Sequence, residues 1–377
     1  MTTEPTPSTD EALMARAGSL AAGVRRATAP NPWVGAVVVA DGVVVGEGAT
    51  APPGGPHAEV TALAAAGARA RGATVAVTLE PCAHHGRTAP CADALIAAGV
   101  ARVLVGVEDP DPRVAGAGIA ALRAAGIEVV VGVGAAAVAD QLAPYLHHRR
   151  TGRAFCLAKS ALSIDGRVAA ADGSSRWITG PAARADAHSL RADSGAVVVG
   201  AGTALADRPA LTVRDAEAPP APPLRVLLDA VGRVPADGPL FDTRLAPTLV
   251  VTTDAVSESV AESWRGAGAA VAVVAPAADG GRGVDLAATL TLLGERGVLQ
   301  AMVEGGSFLH GALIAEGLVD RLVTYVGGVA LGADGLPGLA WPGPGTIAAA
   351  PRWRLERVVA LDDDVRIDRS PVGIGEA

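Results

Sequence analysis

Lysine is almost missing from this 377-residue chain: Lys159 is the single lysine among 31 basic residues. A bias toward arginine accounts for the other thirty but not for the survivor. Either Lys159 remained by chance, or its position needs a compact ammonium in place of a planar guanidinium. Aromatic residues make up only 3% of the chain, too few for the stacking platforms on which single-stranded nucleic acids are read. Basic excess is absent as well. A net charge of −8 argues against a polyanionic partner, so no nucleic acid is expected. Three cysteines, Cys82, Cys91 and Cys156, are too few for a disulfide framework and point to a reducing, cytoplasmic location. No apolar run reaches the roughly 18 residues of a membrane span. The opening M-T-T-E-P-T-P-S-T-D lacks the basic and apolar regions of a secretory signal. No membrane partner is expected.

What is plentiful is small and apolar: the chain is 50% hydrophobic, with 47 glycines and 27 prolines. That composition and length suit two globular domains. Residues 1–10 read as a disordered tail and 11–26 as a helix. W-V-G-A-V-V-V-A and V-V-V-G-E-G read as a hairpin closed by Asp41-Gly42. A helix over 57–70, a strand A-T-V-A-V-T-L, a helix opening at Cys91, a strand over 101–107, a helix near 118–125 and a strand I-E-V-V-V-G-V follow. The alternation predicts an α/β domain of three layers over 11–148. D-Q-L-A-P-Y-L-H-H-R-R-T-G-R (140–153) reads as an interdomain connection, with H-H-R-R as solvated linker. A second α/β domain is expected over 152–374. It opens on a strand ending at Asp165-Gly166 and includes a helix over 181–191 and apolar strands at 196–203, 224–229 and 248–253. Strand, glycine turn and helix follow over 300–314, and the closing D-D-D (362–364) reads as a solvated turn. Cys156, in an apolar strand, reads as inert core, and His188 and His310 fall on helices.

Chemistry concentrates between His57 and Cys91. P-H-A-E-V carries His57 and Glu59, and P-C-A-H-H-G-R-T-A-P-C carries Cys82 and Cys91. One imidazole and two thiolates make a zinc site with a fourth position left for water. Glu59, outside the metal shell, is placed to move protons from that water to a ring nitrogen and a departing amine. This is the pattern of zinc-dependent base deaminases. The eight residues between the cysteines are a departure from the shorter spacing of many such enzymes. They leave open a closed Cys₂His₂ site with His84 or His85 as fourth ligand.

The motifs A-P-N-P-W-V-G, P-H-A-E-V, T-L-E-P-C-A-H-H-G-R-T-A-P-C and E-D-P-D-P-R-V-A-G-A-G resemble the deaminase half of the bifunctional riboflavin biosynthesis deaminase/reductase family. K-S-A-L-S-I-D-G-R, S-R-W-I-T-G, L-R-A-D-S-G-A-V-V-V-G-A-G-T, D-R-P-A-L-T-V-R and V-E-G-G-S resemble its reductase half. In that family the long intercysteine loop is normal. The resemblance implies a cytidine-deaminase-like α/β/α domain followed by a dihydrofolate-reductase-like α/β domain. Its reactions are deamination of a diaminopyrimidinone ribosylamino 5′-phosphate and NADPH-dependent reduction of the ribosyl group to ribityl.

By the same resemblance, His57, Cys82 and Cys91 hold Zn²⁺, Glu59 shuttles protons, and Asn31 and His84 contact the deaminase substrate. Thr50 stands where related proteins often carry a histidine. Ala161, Trp177, Thr203, Asp207, Gly306, Ser307, Phe308, Leu309, His310, Gly311 and Ala312 line the NADPH site. Lys159, Ser175, Arg191, Leu211, Arg214 and Glu304 line the reductase substrate site, where arginines suit a phosphate. The implied partner is a small phosphorylated pyrimidine, and the family's habit implies a homo-oligomer. Two other readings compete. One is a nucleoside or tRNA base deaminase with a non-catalytic C-terminal binding domain, which would want a basic stripe and stacking aromatics. The other is a zinc-stabilised scaffold without activity.

Overall fold

The structure is a computed structural model and describes residues 9–83, 89–278 and 283–372. The chain divides into two compact units, Met1–Gly152 and Arg153–Ala377. Among the described residues, no helix is long and apolar enough to cross a membrane.

The first unit runs α1 (Asp10–Val24), β1 (Gly35–Ala40), β2 (Val43–Ala49), α2 (Ala58–Ala66), β3 (Thr74–Leu79), α3 (Cys91–Ala98), β4 (Arg102–Val107), α4 (Ala117–Ala124), β5 (Glu128–Val131), α5 (Ala135–Gln141) and α6 (Ala143–Thr151). Of the expected tail, residues 1–8 lie outside the described residues. Thr9 caps α1 by accepting a hydrogen bond from the Ala12 N–H, and Asp10 already belongs to the helix, paired with Arg102. Asp41 and Gly42 both take positive φ, as a two-residue hairpin demands.

The sheet order is β2-β1-β3-β4-β5, with β1 antiparallel to β2 and β3 and the rest parallel. Neighbouring residues of a strand face opposite sides, and here two glycines admit a helix on each side. A Cβ on Gly35 would meet the Ala17 carbonyl oxygen of α1 at 1.9 Å. One on Gly48, across from Ala36, would meet the Ala58 carbonyl oxygen of α2 at 2.3 Å. The expected α/β/α layering follows from these close approaches. The segment read as a connection is instead helical: Pro144 sits in the first turn of α6, Gly152 ends it in the left-handed region, and Tyr145 and Leu146 are buried. The segment's apolar residues are sparse and adjacent, so a 3.6-residue helical period is faint there.

The second unit runs β6 (Phe155–Ser163), β7 (Arg167–Ala169), α7 (Pro181–Ala192), β8 (Ala196–Gly200), α8 (Ala201–Asp207), β9 (Leu224–Leu228), β10 (Thr248–Thr252), α9 (Glu258–Gly266), β11 (Ala270–Val273), α10 (Leu286–Glu295), β12 (Gln300–Val303), α11 (Ser307–Ala315), β13 (Arg321–Gly327), β14 (Leu336–Pro337), β15 (Trp353–Leu361) and β16 (Asp364–Pro371). Nine strands form one sheet, β11-β10-β9-β8-β12-β6-β13-β16-β15; β16 is antiparallel to both β13 and β15, and the remaining neighbours are parallel. Both faces of the central strands are apolar. Val197 and Val199 of β8 join a core with Leu227, Val250 and Trp264, while Ala196 and Val198 join another with Val226, Leu249 and Leu293. Parallel strands covered on both sides read as continuous apolar runs, as A-V-V-V-G does. Cys156 is fully buried in this core, and burial pushes its thiol up.

The D-D-D turn departs from expectation. Asp362 makes the β-turn at positive φ, but Asp364 is buried and accepts a hydrogen bond from the Gly180 N–H at 2.6 Å. Arg225 is also fully buried. Its guanidinium donates to the carbonyl oxygens of Ala210, Pro239, Asp242 and Ala246, so its charge is met by backbone dipoles.

Candidate active sites

In the first unit the metal-ligand candidates come from three elements. His57 is the N-cap of α2, Cys82 follows β3, and Cys91 opens α3 after Pro90. Their ligand atoms all lie within 4.8 Å of one another. His57 Nδ1 is 3.2 Å from Cys91 Sγ and 3.7 Å from Cys82 Sγ, and the Cys91 N–H donates to Cys82 Sγ at 3.3 Å. The two sulfurs lie side by side, within 4.8 Å of each other and of the His57 ring. Their hydrogen bond, together with His57, holds Cys82 down to about 4 and drives Cys91 up. The hydrogen bond to Cys82 raises His57. Glu59, in the first turn of α2, is 4% exposed, and desolvation pushes its carboxyl up to about 7.

These groups open on a cavity of about 540 Å³. Asn31, Thr50, His57, Glu59 and Cys82 line it together with Asp109, Asp111, Arg113, Val114, Tyr145 and Arg149. Thr50 is turned to its own strand entry, accepting from the Val34 N–H at 3.0 Å. His84 and His85 lie outside the described residues, and with them the alternative of a fourth histidine ligand.

Sequence reasoning missed part of this lining. The Tyr145 hydroxyl donates to Asp109 at 2.9 Å, and Arg113 grips Asp111 through Nε and Nη2. Burial raises Asp109, whereas the Arg113 contact holds Asp111 down to about 2. The available signal was E-D-P-D-P-R, quoted as a motif but given no role. Tyr145 and Arg149 sat in the segment mistaken for a linker.

In the second unit, Lys159 on β6, Arg191 on α7 and Glu304 after β12 converge. Arg191 binds both Glu304 oxygens through Nε and Nη2, its Nη1 donates to the Thr212 carbonyl oxygen at 2.8 Å, and Lys159 Nζ is 3.9 Å from Glu304. Glu304 is held down to about 2: burial works against the ion, but Arg191 and Lys159 overcome it. Burial lowers Lys159, whose ammonium lies over the Tyr325 ring at 5.9 Å. His188, not assigned a role from the sequence, accepts from the Arg214 N–H at 3.1 Å; burial and then the flanking arginines lower it to about 4.

Among the cofactor candidates, Gly306 is the N-cap of α11, and a Cβ there would come within 3.3 Å of Thr203 Oγ1. Thr203 and Asp207 lie on α8, beyond the end of β8, which neighbours β12. Trp177 and Phe308 are exposed, at 66% and 81%. Ser307 donates to the Pro337 carbonyl. Not every candidate presents a side chain to this region. His310 is buried with Nε2 3.2 Å from the Val303 carbonyl oxygen, Leu309 and Ala312 pack on the core, and Gly311 abuts Ala340. Leu211 is likewise buried in the core, at positive φ. Ser175 is half-buried in the loop before α7, and Ala161 lies on β6.

Comparison with known proteins matches residues 7–107 to the cytidine and deoxycytidylate deaminase zinc-binding region and residues 154–367 to the RibD C-terminal domain. The riboflavin biosynthesis protein RibD of Escherichia coli (strain K12) is 41% identical over 369 residues, covering 94% of this chain and 98% of that protein. That of Chlamydia pneumoniae is 44% identical over 310 residues, covering 82% and 81%. Among solved structures, Acinetobacter baumannii RibD, form 1, aligns at a TM-score of 0.84 and 37% identity over 97% of this chain and 99% of that one. The Thermotoga maritima diaminohydroxyphosphoribosylaminopyrimidine deaminase/5-amino-6-(5-phosphoribosylamino)uracil reductase aligns at 0.83 and 32% identity over 96% and 99%.

Proposed function

The chain belongs to the RibD family of riboflavin biosynthesis proteins, and from that membership we propose how its own residues divide two consecutive reactions. It is a bifunctional, zinc- and NADPH-dependent enzyme. It deaminates 2,5-diamino-6-ribosylamino-4(3H)-pyrimidinone 5′-phosphate, then reduces the ribosyl group to ribityl. The match of the second half to the RibD C-terminal domain removes the reading of that half as a passive RNA-binding module. We assign the deaminase to residues 11–148 and the reductase to 152–374.

The observation that carries the deaminase assignment is the convergence of His57, Cys82 and Cys91 beside a buried Glu59. One imidazole and two sulfurs fit zinc with a position to spare. Zinc held by these three residues supplies Lewis acidity that makes a water nucleophilic near neutral pH. Glu59 would carry two protons in turn, one from the attacking water to the pyrimidine ring nitrogen and a second from the hydroxyl newly bonded to carbon to the amine that leaves as ammonia. Asn31 offers the pyrimidine edge a donor and an acceptor, and His84 adds a further contact.

For the reductase, the glycine-opened start of α11 and its close approach to Thr203 fit a phosphate-bearing cofactor. Ala161, Trp177, Thr203, Asp207 and residues 306–312 are assigned to NADPH, which supplies the hydride, with Gly311 and the inward-packed Leu309, His310 and Ala312 contributing backbone only. Lys159, Ser175, Arg191, Leu211, Arg214 and Glu304 hold the deaminated pyrimidine phosphate. Glu304 fixes the Arg191 and Lys159 cations, and Arg214 is exposed for the phosphate. The protein works as a homo-oligomer in the reducing cytoplasm, an assembly that light scattering tests directly.

The decisive experiment supplies the diaminopyrimidinone phosphate to the zinc-bound full chain with NADPH. Ammonia release should precede NADPH oxidation, and the deaminated pyrimidine alone should support the second step. RNA deamination without any NADPH oxidation would refute the assignment.

A further inference from the structure

Glu80 is a buried carboxylate that neither reaction above uses. It is 3% exposed, lies between β3 and Cys82, and borders the deaminase cavity. Its Oε2 accepts from the N–H groups of Asp109 at 3.2 Å and Gly116 at 3.0 Å. Its Oε1 accepts from Gly118 at 3.0 Å and Ile119 at 3.2 Å. The last two donors belong to the first turn of α4, where a negative charge is favoured. A carboxylate has about four acceptor positions, and all four are taken. Although it faces the cavity, Glu80 has nothing left with which to bind a ligand.

What it holds is one wall of that cavity. Between the Asp109 N–H and the three donors of Gly116, Gly118 and Ile119 runs the segment carrying Asp111 and Arg113, which with Asp109 lines the cavity. Within that segment Asp109 accepts from the Asp111 N–H and the Tyr145 hydroxyl, and Asp111 binds Arg113. The joint is tight on a second side, where a Cβ on Gly118 would meet the Pro81 carbonyl oxygen at 1.8 Å. The Glu80 N–H itself donates to the Val107 carbonyl oxygen at 3.0 Å. One side chain thus ties the strand end that leads into the Cys82 ligand to a loop that lines the same cavity as Glu59.

We propose that Glu80 is a positioning residue of the deaminase: it sets the distance between the metal-side groups and the Asp109–Asp111–Arg113 wall, and so fixes how the pyrimidine is seated. The role of that seat rests on the deaminase reading; the clamp itself rests on the four hydrogen bonds. Removing the clamp lets the wall move, and misplacement by about 1 Å can cost about 100-fold in rate.

The test uses the zinc-bound full chain carrying Glu80→Gln, whose amide sets two N–H donors against backbone N–H groups. Zinc content should stay near that of the unaltered chain, and the reductase step, assayed with deaminated pyrimidine, should be unchanged. The deaminase KM should rise about 10- to 100-fold with kcat falling less, and hydrogen exchange at the Gly116, Gly118 and Ile119 amides should accelerate. Glu80→Asp, which keeps the charge but shortens the reach, should fall between the two, and stands in if the amide variant does not fold. Unchanged exchange at those amides, or unchanged deaminase KM despite faster exchange, overturns the proposal. So does equal loss of both activities. An unaltered chain that deaminates no pyrimidine overturns the deaminase reading instead, and the exchange measurement then still decides whether Glu80 holds the loop.

Discussion

Glu59 and Lys159 are the residues on which the two reactions separate. Glu59 is buried beside the sulfur ligands but is not one of the triad. Glu59→Gln should therefore abolish ammonia release while zinc, measured by atomic emission, remains bound. Lys159→Arg keeps a positive charge but replaces a compact ammonium, seated between Glu304 and the Tyr325 ring, with a larger planar group. NADPH oxidation should fall about 10- to 100-fold, as expected for a misplaced first contact, and deamination should not change. Equal damage to both steps would remove Lys159 from the reductase site. His188 carries a pH consequence. Its folded pKa is depressed to about 4 from an ordinary 6.5, so between these values the unfolded chain holds a proton that the folded unit lacks. Stability from this group is present above pH 6.5 and is lost as pH falls toward 4. His188→Gln, which keeps an acceptor for the Arg214 N–H, should flatten the change in urea midpoint between pH 6.5 and 4.5.

Among the elements, α2 matters because it delivers both His57 and Glu59 from its first turn. Its seat on the sheet is Gly48, which leaves no room for a methyl beneath the Ala58 carbonyl. Gly48→Ala should cost about 1–3 kcal/mol through overpacking, seen as a lower Tm of the first unit. It should also weaken zinc retention against a chelator, because the displaced end of the helix carries a ligand. The sequence shows why this element was legible and others were not. P-H-A-E-V announces a helix start and its one ligand together, and Asp41-Gly42 announces a hairpin, because each is dictated by local backbone chemistry. A contact between distant segments leaves no such local mark. Glu80 and Asp109 lie 29 residues apart and meet through backbone N–H groups, which no residue type advertises. Tyr145 and Arg149 were hidden for a related reason: α6 has few apolar residues, so its helical period is faint beside H-H-R-R. The continuous apolar runs of the second unit reveal its strands, but not the order in which they pair, since β12 inserts between β6 and β8.

At the scale of the whole molecule, two compact units with separate sheets predict two separable responses to ligands. Chelating zinc should lower the unfolding temperature of the deaminase unit and leave the reductase transition in place. NADPH at about 100 times its Kd should stabilise only the latter, by about 2.7 kcal/mol from mass action. Differential scanning calorimetry of the full chain reads both. The scarcity of lysine then acquires a practical meaning. A chain with one lysine has one ε-amine, and here that amine sits beside Glu304 in the proposed reductase site with its basicity lowered by burial. An acylating reagent selective for amines thus has a single internal address. The mass added to the peptide bearing Lys159 becomes a direct gauge of how open that site is, and bound pyrimidine phosphate should shield it.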